Sequence, residues 1–253
     1  MPLAIKLDVR GLSVHYGTLR ALDHVNLTIP TGSATALIGP TGAGKSSLLR
    51  ALCRMNELWE GVTTLGQVLL DDENIYSRHI DVSHIRRRVS LIPRRPVPFP
   101  LSVFDNIAYG PRIHGVKGRT ELANIIKKSL EKVGLWKELK DRLEQRAIDL
   151  SPGQKQRLCV ARALAVEPEA LLIDDLASGL DSAATARMED VLLNLKGDYT
   201  IVFATHTMQQ AGRVSDHVAY LSEGALIEHG DTADVFSRPK DHRTEDYITG
   251  RFS

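Results

Sequence analysis

The stretch "GPTGAGKSS", Gly39 to Ser47, restricts what this chain can fold into more than any other. It satisfies G-x-x-x-x-G-K-[ST] at every fixed position. The run "ATALIG" leads into it: short, apolar and ending in glycine, the profile of a strand buried on both faces of a parallel sheet. "KSSLLRALCRM" leads out of it as a helix. Strand, glycine loop and helix in that order belong to an α/β fold. The glycines let the backbone curl until several N–H groups face one anion, and the start of the helix adds positive potential. Gly39, Pro40, Thr41, Gly42, Ala43, Gly44, Lys45, Ser46 and Ser47 are accordingly the phosphate-binding candidates. Lys45 is placed to reach β- and γ-phosphates, and the Ser46 hydroxyl to bind Mg²⁺. The bland alternative, a glycine-rich turn that binds nothing, leaves the Lys-Ser pair without a purpose.

A metal held on phosphates needs an acidic partner. In "ALLIDD" an apolar strand ends in Asp174, putting a carboxylate at the sheet's C-terminal edge, where α/β proteins bind ligands. Asp175 beside it is a candidate to orient an attacking water or take its proton. Thr205 and His206 close the apolar run "TIVFA" and reach the same edge, with His206 as a hydrogen-bonding sensor of the γ-phosphate. Singly, a strand-ending Asp or a lone His is ordinary structure; beside a complete glycine loop they point to one site. Tyr16, before Gly17, is a candidate to stack on adenine, or else a core aromatic.

A chain of 253 residues can bury a sizeable core as one large domain or a domain with a subdomain. Its hydrophobic content of 43% and charged content of 25% fit a folded soluble protein. A net charge of +1 gives no basic excess for nucleic acid. The runs Arg86-Arg87-Arg88 and Arg94-Arg95 are expected on solvated or interface faces. Cys53 and Cys159 form no metal spacing and no disulfide framework, which suits a reducing compartment. "MPLAIKLDVRG" turns charged too early for a signal peptide, and no apolar run approaches the roughly 20 residues of a membrane span. Membrane attachment is therefore expected through a partner.

Strands are expected at "KLDVR", "LSVHY" and "ALDHVNLTI", and around "GQVLLDDENIY". Residues 93–100, "PRRPVPFP", hold four prolines and exclude regular structure. Leu122, Ile125, Ile126, Leu130 and Val133 share a helical face. Residues 101–155 read as a helical subdomain inserted into a core made of residues 1–100 and 156–253. "ALLID" and "TIVFAT" are further buried strands, "VAYLSEGALIEHG" a hairpin turning at Glu223-Gly224, and the tail from Asp241 a polar surface segment.

Taken in order, Tyr16, the glycine loop, "LSPGQ" at 150–154, "LLIDD", "SGLD" at 178–181 and "ATH" at 204–206 resemble the ATPase subunits of the ABC transporter family. The succession "LSPGQKQRLCVARALA…PEALLID" separates the chain from small-molecule kinases and GTPases. "CRMNEL", "PVPFPLSVFDNIAYGPRIHG", "THTMQQAGRVSD" and "RTEDYITGRF" narrow the resemblance to the ATPases of bacterial inorganic-phosphate importers. It implies a P-loop NTPase (RecA-like) core with an N-terminal antiparallel β subdomain and an inserted α-helical subdomain. It also implies ATP and Mg²⁺ as ligands, and a head-to-tail homodimer sandwiching two ATP molecules. Ser151, Gly153 and Gln154 would face the ATP of the opposite subunit, and Asp181 the dimer-facing loop. Lys45, Asp175 and His206 would act in hydrolysis, and Ser46 and Asp174 on the metal. Two integral-membrane permease subunits would dock beside residues 93–115, with a periplasmic phosphate-binding protein acting indirectly. The chain would sit peripherally on the cytoplasmic face of the bacterial inner membrane, and the transported phosphate would never enter it.

Three positions depart from the family pattern. Pro152 replaces a glycine of Leu-Ser-Gly-Gly-Gln; proline is welcome at a helix's first position, and Ser151 with Gln154 completes a capping box, so one N–H is lost while the helix stands. Asp175 replaces a catalytic Glu and is shorter by one methylene, and Leu176-Ala177 replaces the usual Pro-Thr. Misplacement of about 1 Å can cost about 10²-fold in rate. Arg94 aligns with the glutamine of the nucleotide-to-membrane loop and cannot ligate Mg²⁺; it either neutralises the γ-phosphate or points to solvent. Two functions follow as expectations: an ATP-hydrolysing subunit that energises phosphate import, or a nucleotide-gated regulator that dimerises on ATP with little turnover.

Overall fold

The computed structural model describes residues 4–95, 97–175 and 177–251. Alternating burial in the first thirty residues builds a hairpin from β1 (Ile5–Tyr16) and β2 (Leu19–Pro30). "KLDVR" and "LSVHY" are one strand rather than two, joined across a register shift between Val9 and Leu12. The strand β3 (Ala34–Ile38) follows, then α1 (Lys45–Leu52), which ends before Cys53 instead of running on to Met55. Next come β4 (Val62–Leu70), β5 (Glu73–Asn74), α2 (Val82–Arg88) and β6 (Val89–Ile92). Four helices succeed them: α3 (Val103–Ile113), α4 (Arg119–Lys132), α5 (Trp136–Leu139) and α6 (Pro152–Leu164). The chain continues as β7 (Ala170–Ile173), α7 (Ser182–Leu195), β8 (Thr200–Ala204) and α8 (Met208–Val214). It closes with β9 (His217–Ser222), β10 (Ala225–Asp231), α9 (Thr232–Ser237) and α10 (His242–Thr249).

Two sheets result. The antiparallel one has the order β2-β1-β4-β5, and the larger one β10-β9-β3-β8-β7-β6. In the larger sheet every pairing from β9 to β6 is parallel, and β10 alone runs antiparallel. Successive side chains of a strand point to opposite faces, and here they divide between two cores. Ile38, Ile173, Ile201 and Phe203 join the buried cluster that contains α3, α4, α6 and α7. Leu37, Leu172, Val202 and Ala204 join the cluster that contains α1, β1, β2 and β4. Both faces of the sheet are covered, which is why "ATALI" and "TIVFA" are buried along their full length.

Two expectations about the surface are corrected. The tail from Asp241 is not merely a polar surface segment. It forms α10, whose Tyr247 is buried with its ring stacked on Tyr220 at 4.8 Å. Arg88 is largely enclosed rather than solvated. Its Nε donates to Glu169 Oε1 at 2.6 Å, and Lys6 Nζ donates to Glu169 Oε2 at 3.0 Å. Glu169 thereby ties β1 and α2 to the entry of β7, and its carboxyl is drawn down to about 2, chiefly by Arg88. The turn at Glu223-Gly224 is present, with positive φ at both residues, 50° and 82°, as a two-residue hairpin of this hand requires.

Candidate nucleotide-binding site

Parallel strands β3, β8, β7 and β6 lie side by side, so their C-terminal ends open on one edge. The glycine loop leaves β3, Asp174 and Asp175 leave β7, Thr205 and His206 leave β8, and Arg94 follows β6. All of these residues from Thr41 onward line one cleft of about 450 Å³, together with Tyr16 from the end of β1. Sheet order thus assembles what the sequence scatters over 190 positions.

The loop owes its shape to glycine. Gly44 caps α1 at φ +101°, and a Cβ there would stand 2.6 Å from the Ala21 carbonyl oxygen and 2.7 Å from Leu22 Cδ2. Gly42, at φ +87°, would meet nothing within 4 Å. Lys45 Nζ curls back on the loop and donates to the carbonyls of Gly39 at 2.5 Å and Pro40 at 2.8 Å. Burial holds its ammonium below the usual lysine range; Asp174 and Asp175 oppose that shift, and Arg94 adds to it.

Ser46 Oγ donates to Asp174 Oδ1 at 2.8 Å. A hydroxyl and a carboxylate are hard oxygen donors, and Mg²⁺ is held in such sites by one or two protein oxygens and the substrate's phosphates. Among the described residues no group of three or more His, Cys, Asp and Glu side chains could hold a metal without such help. The donor set therefore fits a magnesium–nucleotide complex rather than a metal bound by protein alone.

Asp175 is the least ordinary residue of the cleft. It stands at φ +60° with 7% of its surface exposed. Its Oδ2 lies 3.1 Å from Arg94 Nε, while its Oδ1 has no hydrogen-bond partner among the described residues and lies 3.9 Å from His206 Nδ1. Of the two sequence expectations for Arg94, neither describes this contact: the guanidinium meets the shortened acid of the same chain. Leu176, one of the two residues that replace the family's Pro-Thr, lies outside the described residues, as does Pro96 of the proline-rich segment.

Tyr16 lines the cleft and also packs against the core beneath it. Its hydroxyl donates to Asn56 Oδ1 at 2.8 Å, and Asn56 Nδ2 donates to the Ser47 carbonyl at 3.2 Å. Asn56 is fully buried, and it fixes the aromatic ring to the helix that carries the glycine loop. Sequence reasoning did not single it out. Its only signal was its place in "CRMNEL", a stretch that carries the resemblance without pointing to a role for the asparagine.

Ser151, Gly153, Gln154 and Asp181 are not brought to this cleft. Ser151 Oγ accepts from the Gln154 amide N–H at 3.3 Å, and Gln154 Oε1 accepts from the Ser151 amide at 3.1 Å, so the capping box forms with Pro152 at the helix start. Gly153 packs so tightly on α7 that a Cβ would stand 2.9 Å from Ala184 Cβ. Asp181 caps α7 by accepting from the Ala184 amide at 2.7 Å. These residues form a second, separate surface feature.

With that geometry in place, likeness to known proteins becomes informative. The ABC transporter family matches residues 22–178, from the first half of β2 to just past Asp175. The chain belongs to the ABC transporter family. It is 49% identical over 245 residues to "Phosphate import ATP-binding protein PstB 3" of Streptococcus pneumoniae serotype 4 (strain ATCC BAA-334 / TIGR4), covering 97% of this chain and 98% of that protein. The same figures hold for the protein of that name from the Streptococcus pneumoniae strain ATCC BAA-255 / R6. Among solved structures, cbiO1 from Clostridium perfringens, part of the ABC transporter complex cbiONQ, superposes with a TM-score of 0.80 at 26% identity over 98% of this chain and 97% of that one. A bacterial Atm1-family ABC exporter with ATP bound shares the fold at a TM-score of 0.81 and 23% identity, over all of this chain and 43% of the exporter's. The P-loop NTPase core and the antiparallel β-sheet expected from the sequence are those of this ABC transporter family member. No helix among the described residues is long and apolar enough to cross a membrane.

Proposed function

We propose that the chain binds and hydrolyses Mg-ATP as the energising subunit of a membrane transporter for inorganic phosphate. The observation that carries nucleotide and metal binding is the Ser46–Asp174 contact at 2.8 Å inside the glycine-loop cleft. Phosphate as the cargo is supported by end-to-end identity of 49% to a phosphate import ATP-binding protein. In hydrolysis the water oxygen bonds to the γ-phosphorus, the bond from that phosphorus to the bridging oxygen breaks, and its electron pair leaves on ADP. Asp175 Oδ1, without a hydrogen-bond partner among the described residues, accepts the water's proton or orients it, and His206 contacts the γ-phosphate. Lys45 supplies positive charge to the β- and γ-phosphates, and Tyr16 a face for adenine.

The chain works as a homodimer in which Ser151, Gly153 and Gln154 serve the nucleotide of the opposite subunit and Asp181 lies at the dimer contact. Its position is peripheral, on the cytoplasmic face of the membrane, through two permease subunits, with a phosphate-binding protein acting from outside. Docking near residues 93–115 is supported by the exposed apolar side chains Val97, Leu101, Tyr109 and Ile113. Residues 101–155 serve as the helical subdomain that joins this surface to α6.

A second reading, a nucleotide-gated regulator with little turnover, is favoured by the shortened acid at Asp175 and by Pro152, which removes one N–H at the start of α6. One assay separates the two: Mg-ATPase activity of the chain assembled with its permease subunits, beside Lys45→Ala. Turnover well above the variant supports the transporter subunit. Turnover equal to it, with ATP-dependent dimerisation retained, supports the regulator. Failure to bind ATP removes both.

A further inference from the structure

Two of the departures from the family pattern, Arg94 and Asp175, lie 81 positions apart in sequence and touch in space. We infer that Arg94 is a positioning residue for Asp175, the two forming one functional unit in which the arginine fixes the shortened carboxylate toward attacking water. This builds on the proposed hydrolysis and assigns Arg94 a role in it.

The geometry is specific on each side. Asp175 leaves β7 in a left-handed conformation at φ +60°, a region uncommon for residues other than glycine but open to aspartate. Its side chain is 10% exposed, and a buried carboxylate needs a countercharge. Arg94 Nε supplies one to Oδ2, which leaves Oδ1, on the side of His206, without a hydrogen-bond partner among the described residues. The guanidinium reaches in from the segment after β6, and β6 pairs directly with β7 in register, Ile92 beside Ile173. Two adjacent strand ends thus present cation and anion to each other. A neutral glutamine at 94 would supply no charge. A glutamate at 175, longer by one methylene, would carry its carboxylate past the guanidinium. Each residue suits the other better than it suits the usual partner.

The arginine is itself 60% exposed, so replacing it should not prevent folding. The test is a double-mutant cycle in steady-state ATP hydrolysis with Arg94→Gln, Asp175→Asn and both together, plus Arg94→Lys and Lys45→Ala. Thermal unfolding serves as the fold control, and a fluorescent ATP analogue reports nucleotide affinity. Arg94→Gln is expected to lower kcat by about tenfold or more with KM nearly unchanged, a loss of oriented catalysis. In the Asp175→Asn background it should cost nothing further, and Arg94→Lys should recover part of the loss. Nucleotide affinity of Arg94→Gln should stay within about threefold of wild type.

A rise in kcat for Arg94→Gln would make the pair a brake and overturn the inference. So would an unchanged kcat, or losses that multiply in the double variant. A drop in nucleotide affinity of more than about tenfold would place Arg94 on the nucleotide instead, and also overturn it. If wild type turns over no faster than Lys45→Ala, the proposed hydrolysis fails and the inference with it. Failure confined to the Arg94 variants leaves the hydrolysis standing.

Discussion

Gly44→Ala tests the packing beneath the glycine loop, and Gly42→Ala is its built-in control. Both residues have positive φ, +101° and +87°, so alanine at either position carries the left-handed penalty of about 1–2 kcal/mol. Only Gly44 adds a steric term. Its Cβ would stand 2.6 Å from the Ala21 carbonyl oxygen, where contact needs well over 3 Å. Neither partner can retreat freely. Ala21 lies in β2, beside Leu22, which pairs with Val14 of β1, and the neighbouring Asp23 amide donates to the Gly224 carbonyl at 2.9 Å. Forced overpacking of this kind adds about 1–3 kcal/mol. The expected total is about 2–5 kcal/mol for Gly44→Ala against about 1–2 for Gly42→Ala. For a chain of this length, about 2–4 °C per kcal/mol puts the melting temperature about 5–15 °C lower for Gly44→Ala, with a clearly smaller drop for Gly42→Ala. The assay is thermal unfolding without nucleotide, so that lost binding does not enter. Equal destabilisation of the two variants would refute the close-packing reasoning and leave only backbone strain.

Other outcomes follow from the same contacts. Ser46→Ala removes an oxygen expected on the metal and should weaken ATP binding by about tenfold or more in Mg²⁺, from about 1.5–3 kcal/mol per charge-assisted contact, with little change in EDTA; titration calorimetry under both conditions checks it. Glu169→Gln should cost about 1–2 kcal/mol at pH 7, discounted for partial exposure of the carboxylate. Because the Glu169 pKa is lowered on folding, from 4.5 to about 2, its contribution is complete above pH 4.5 and fades as pH falls toward 2. The gap between wild type and variant in denaturant unfolding should shrink over that window. Ser151→Ala should destabilise the chain by about 0.5–2 kcal/mol through loss of its cap. It should leave ATP affinity of the monomer intact while weakening ATP-driven dimerisation, read by size-exclusion chromatography with light scattering.

Local features were legible because their causes are local. A strand covered on both faces must be apolar throughout, so "ATALI" and "TIVFA" announced themselves. The Ser151–Gln154 box closes within one helical turn, and the Glu223-Gly224 turn needs only two residues of positive φ. The misjudged points each depended on something distant. "KLDVR" and "LSVHY" looked like two strands because Gly11 separates them, yet β2 and β4 pair with the whole length and hold it as one. The tail from Asp241 looked polar, and only the stacking surface offered by Tyr220 makes Tyr247 a core residue.

By itself, the sequence determined the chemistry available at each strand end: a glycine loop with Lys45 and Ser46, acids at 174 and 175, a histidine at 206. Residue type and local spacing suffice for that. The order β9-β3-β8-β7-β6 set those ends side by side, and only tertiary structure could decide it, because strand order is fixed by which faces bury against which helices. Adjacency of β6 and β7 then joined Arg94 to Asp175 across 81 residues, turning two departures that looked independent into one ion pair.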